Sequence, residues 1–188
     1  MWWVAERALW FSYLVIVFGH AARAVELPQP PDGYTWAVVE ESRSAYLEPN
    51  GWFEKRESTG GTTALFLTKE DISVSGMFLT GFSANYIRGV INAPGLSPSA
   101  YVAAFIQAAE QEYEVVRRPW FDKYETDLRG AGIRTRRGSG IDAYVVQYYL
   151  IADERAGTVT LLSFEAPESE WDEAWKHGKL MLSAVGWR

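Results

Sequence analysis

From Tyr34 onward, apolar and polar positions along the chain change period several times, and each change marks an element. "YTWAVVEE" alternates, with Tyr34, Trp36 and Val38 on one side, and predicts a strand. Two short runs follow, Ser44–Leu47 and Trp52–Glu57, separated by Asn50-Gly51. That dipeptide supplies the positive φ angles of a tight turn, so the spacing predicts a hairpin. Gly60-Gly61 makes another break. Thr63–Thr68 and Phe78–Tyr86 then read as two strands joined by a polar connection with room for a helical turn.

After the loop "NAPGLSP" the period becomes helical. Ser97 is a good N-cap, and Pro98 suits the first helical position because it loses no hydrogen bond there. Val102, Phe105, Ile106, Ala109, Tyr113 and Val116 fall on one face, with Gln107, Glu110 and Glu114 on the other. "GIRTRRGSG" predicts a short basic strand ending in a glycine turn. Ala143–Ala152 and Thr158–Glu165 predict a hairpin around Asp153–Gly157. Both faces of its first strand are mostly apolar, as expected of a central strand covered on two sides. Pro167 opens a last helix, acidic at first (Glu168, Glu170, Asp172, Glu173) and basic later (Lys176, His177, Lys179), in keeping with the helix dipole. Its expected buried stripe is Trp171, Ala174, Trp175, Gly178, Leu182 and Val185. Helices on both faces of the strands predict an α+β fold, an α/β/α sandwich around a mainly antiparallel sheet.

The chain has 188 residues. Its opening is organised differently: Ala8 to Gly19 is an apolar run, short of the roughly 20 residues of a membrane-spanning helix. Ala22-Arg23-Ala24 follows, with the small residues of a signal-peptidase site. The expected organisation is a cleavable signal over 1–24, an extended proline-rich lead-in over 25–33, and one domain over 34–188, exported and without a span after cleavage. Losing Glu6, Arg7 and Arg23 takes the net charge from −6 to −7, which disfavours nucleic acid as a partner.

Chemistry is restricted by what the chain lacks. It has no cysteine, and of its two histidines the signal removes His20. Without cysteine, His177 alone provides no Cys nucleophile, no two-histidine zinc site and no Cys/His metal cluster. It falls beside the buried stripe of its helix, where a surface role is expected. No cofactor, metal or catalytic residue is assigned. The glycines at 130, 132, 138 and 140 lack the lysine and following helix of a phosphate loop.

The stretch "LLSFEAPESEWDEAWKHGKLMLSAV" resembles the PsbP-like/DcrB-like superfamily, which closes with a strand, an acidic-proline step and an aromatic helix. "PNGWFEK" and "GMFLTGFSANYIRG" look like segments of small secreted bacterial proteins of unknown function. The resemblance implies an antiparallel sheet between helices and a non-enzymatic accessory role.

The expected function is an exported binding or accessory protein of the cell envelope, with a protein of that compartment as partner. The alternatives are a cell-wall hydrolase built on two carboxylates, from Glu40/Glu41, Glu110/Glu112/Glu114 or Asp153/Glu154, and an immunity protein against an exported toxin. Candidate partner-binding residues are Arg134 and Arg136, which share one strand face within an arginine-rich region, and Trp52 with Phe53 beside the Asn50-Gly51 turn.

Overall fold

The structure, a computed structural model, describes residues 27–90, 96–123, 128–183 and 186–187. The signal over 1–24 and the expected cleavage point lie outside the described residues. Leu27 to Pro31 have no regular structure, and the Trp36 indole donates to the Pro28 carbonyl at 2.7 Å.

Among the described residues, seven strands form one antiparallel sheet. In spatial order they are β3 (Phe53–Thr59), β4 (Thr62–Thr68), β5 (Gly81–Ile87), β9 (Thr158–Pro167), β8 (Tyr144–Asp153), β7 (Leu128–Arg137) and β6 (Glu114–Lys123). A smaller sheet holds β1 (Tyr34–Val39), β2 (Ser44–Pro49) and the two-residue β10 (Gly186–Trp187), with β2 in the middle. Three helices accompany them: α1 (Ile72–Ser75), α2 (Pro98–Glu112) and α3 (Trp171–Ser183).

The predicted two-faced strand is central. β8 runs between β7 and β9, and its Val146, Tyr148 and Leu150 pack under Val102, Ile106 and Ala109 of α2. On the other face Phe82, Leu67 and Phe164 meet Trp171, Ala174 and Met181 of α3, together with Tyr46 of the small sheet. Each large apolar side chain buried this way contributes about 1.5–3 kcal/mol. The result is the expected α/β/α sandwich, with the small sheet sharing α3's layer.

Three elements differ from the sequence reading. The turn at Asn50-Gly51 forms, with Gly51 at φ +83°, but the flanking strands do not pair. β2 already has β1 on one side and β10 on the other, so no edge is left for β3, which pairs with β4 in the other sheet. The two-residue hairpin is at Gly60-Gly61 instead, where both φ angles are positive and Thr59 faces Thr62. Second, the helix does not reach Val116. It ends at Glu112, Tyr113 is extended, and the β-branched pair Val115-Val116 begins the edge strand β6. Third, the basic strand is not short, because β7 runs ten residues from Leu128 to Arg137.

Candidate functional site

α3 carries His177 to the place where the two sheets meet. A 3-10 turn at Glu168–Glu170 leads from β9 into the helix, and Trp171 and Ala174 fix its underside. Gly178 sits directly on the Phe164 ring: a Cβ there would lie 2.5 Å from two of its atoms. This close seat puts His177, half-buried, against residues from two other elements.

The histidine ring lies between two aromatics. Its Nδ1 is hydrogen-bonded to the Tyr34 hydroxyl at 2.8 Å, and the two ring centroids are 5.9 Å apart. The Trp52 ring lies 5.5 Å away on the turn that connects the sheets. Beside them opens a cleft of about 450 Å³, lined by Trp52, Lys69, Thr80, Glu170, Glu173 and His177 among others. Lys69, at the end of β4, reaches Glu170 across its mouth at 3.3 Å. Glu173 is paired with Lys176 one turn on, and that hydrogen bond holds its carboxyl below the usual range. Burial raises the Tyr34 hydroxyl.

No carboxylate is hydrogen-bonded to His177 among the described residues, and its Nδ1 is already engaged by Tyr34. A general acid needs a carboxyl raised toward neutrality. Glu173 is shifted the other way. No group of three or more His, Asp or Glu side chains able to hold a metal occurs among the described residues.

The predicted partner-binding residues are placed as follows. Trp52 is a wall of the cleft. Phe53, next to it, is exposed at the start of β3, the strand that α1 packs against. Arg134 lies under α3, its guanidinium 4.9 Å from the Trp171 ring and 4.5 Å from the Trp175 ring, with Nε donating to Gln147 at 3.1 Å. Arg136 grips Glu168 with two parallel bonds of 2.8 Å and reaches Glu114 at 3.3 Å. The rest of the arginine group divides between faces. Arg137 is on the α2 side, stacked on Tyr113 at 4.2 Å and bonded to the Tyr148 hydroxyl, whose pKa burial pushes up to about 12.

Sequence reasoning missed three parts of this region: Tyr34 as the partner of His177, the Lys69–Glu170 tie, and Trp120. The first two join residues more than a hundred positions apart. A signal for Trp120 existed in Gly132, a glycine in mid-strand. Such a residue often marks close approach by another group, and the Trp120 indole occupies the space its side chain would take.

No protein-family model matches the chain, and no curated protein matches it in sequence. Solved structures do match. The solution structure of cyanobacterial PsbP from Synechocystis aligns with a TM-score of 0.52 at 11% identity, covering 85% of this chain and 95% of that one. The Ran-binding protein Mog1p of Saccharomyces cerevisiae aligns at 0.46 and 11% identity, covering 82% and 95%. What is shared with PsbP at this identity is the fold: the chain has a PsbP-like sandwich.

Proposed function

We propose that this chain is an exported, non-enzymatic binding or accessory protein of the cell envelope, and that it takes its partner at the cleft between α3 and the start of β3. The observation behind this reading is the make-up of the cleft. Aromatic walls stand beside charged groups that already satisfy one another, as Lys69 does Glu170 and Lys176 does Glu173. Such a site offers apolar area and fixed polar atoms for recognition. In this reading Trp52 and Phe53 meet the partner, while Arg134 and Arg136 hold the α3 wall in place. Export is supported by the apolar run and A-x-A pattern within residues 1–24.

The test is a pull-down from envelope extract with residues 25–188, using the wild type and Trp52→Ala. A protein retained by the wild type and lost from the variant supports the cleft. Equal capture by both moves the contact elsewhere. Peptidoglycan hydrolysis lost in Glu170→Gln would replace this reading with the hydrolase. Intact mass of the envelope protein should begin at Val25, and a retained Met1 would mean an anchor.

A further inference from the structure

β6 is an edge strand with an irregular register. Arg117 faces Arg134 of β7, whereas Trp120 faces Gly132, so three steps along β6 match two along β7. In a regular strand residues three apart point to opposite faces. The extra residue in the Arg118-Pro119 segment reverses that parity and brings Arg117 and Trp120 to the same face, the side covered by α3. A bulge re-aims side chains in this way.

The consequence is two adjacent guanidiniums flanked by tryptophan rings. Trp120 lies flat on Gly132, where any Cβ would collide with the indole. Arg117 stacks over that ring at 4.4 Å. Its cross-strand neighbour Arg134 stacks on Trp175 and Trp171, which are themselves parallel to within 14°. Like charges directly opposite on adjacent strands are destabilising. Among the described residues neither Arg117 nor Arg134 has a carboxylate partner. Arg136, on the same strand, has two. Burial, and then Arg117, lower the Arg134 pKa, so the proximity is felt. Stacking occupies the flat faces of the guanidiniums and leaves N–H edges available. Among the described residues the Arg134 guanidinium commits only Nε, to Gln147, and the Arg117 guanidinium makes no hydrogen bond.

We propose that Arg117 and Arg134 form a binding site for an oxyanion, the carboxylate or phosphate group of a small molecule, which bridges the two guanidiniums and relieves their repulsion. Guanidiniums bind both groups through paired N–H bonds. This site is separate from the Trp52–His177 cleft and does not depend on it.

Inorganic phosphate and succinate, each titrated against chloride at matched ionic strength, test the proposal by tryptophan fluorescence and thermal melts. A saturable response beyond that of chloride is expected from at least one. Saturation by phosphate alone assigns the tetrahedral anion, by succinate alone the carboxylate, and by both an oxyanion in general. Arg117→Gln should weaken the response about tenfold, the loss of one charge-assisted contact. Arg118→Gln, the exposed neighbour, should leave it unchanged. Arg117→Lys, which keeps the charge and loses the flat stacked donor edge, should fall between. Absence of a saturable response from either anion, or equal affinity in wild type and Arg117→Gln, overturns the site.

Discussion

His177 illustrates how much one side chain's role depends on what lies across from it. Its position beside the α3 stripe makes it half-exposed, as its place on the helix predicts. The hydrogen bond to Tyr34, 143 residues away in sequence, is invisible to any local pattern. His177→Ala should therefore cost about 1 kcal/mol, the net worth of one hydrogen bond. Trp171→Ala should cost about 3–5 kcal/mol, because its ring is buried against Phe164. Trp175, also assigned to the stripe, is only half-buried and carries the Arg134 guanidinium on its face, so its loss should fall between the two. Urea melts of the three variants check the order. A histidine variant as damaged as the Trp171 variant would make His177 a core residue.

At the scale of elements, close seating of α3 on the sheet is what builds the cleft. Gly178→Ala sets two effects against each other. Alanine gains about 1 kcal/mol of helix propensity over glycine. Its Cβ, however, would press on the Phe164 ring, which is fully buried and has no room to turn. Overpacking of that kind costs about 1–3 kcal/mol, so the variant should be less stable and its tryptophan emission altered. A raised melting temperature would mean the helix rides higher than described. The strands of β8 and β9, the cap at Ser97 and the start of α3 were all legible beforehand, since each depends on neighbours within a few residues. The non-pairing of β2 with β3 was not. A hairpin signal reports the turn, while pairing depends on which strand edges remain free.

For the molecule as a whole, pH acts through carboxyls that the fold treats in opposite ways. Glu165 is on the α2 face of β9, and burial raises its pKa more than nearby Arg137 lowers it. The folded state thus binds its proton more tightly than the unfolded chain. From the ordinary glutamate value of 4.5 upward, through the raised value, this group's contribution to stability falls as pH rises. Glu168 and Glu173 are shifted down by Arg136 and Lys176, and their smaller, solvent-screened contributions are lost as pH falls. Glu165→Gln removes a carboxyl whose ionised form burial penalises, so its melting temperature relative to wild type should rise as pH increases above 4.5. A variant less stable than wild type at pH 7 would mean that the attraction between Glu165 and Arg137 outweighs burial.

Sequence alone determined most of the layers, apart from the edge strand β6 that it read partly as helix: which strand is central, and that helices close both faces. Those features follow from periodicity and caps, whose physics is local. It also narrowed the chemistry, through the absence of cysteine and the single histidine left beyond the signal-like segment. Tertiary structure decided everything that depends on distance through space. It separated the arginines between two faces and clamped Arg136 to Glu168 and Glu114. It left Arg117 beside Arg134 without a carboxylate among the described residues. Two register shifts in β6, between Val115 and Arg117 and between Arg117 and Trp120, did the last of these, because strand parity alternates with every residue and a bulge is scarcely marked in the sequence that contains it.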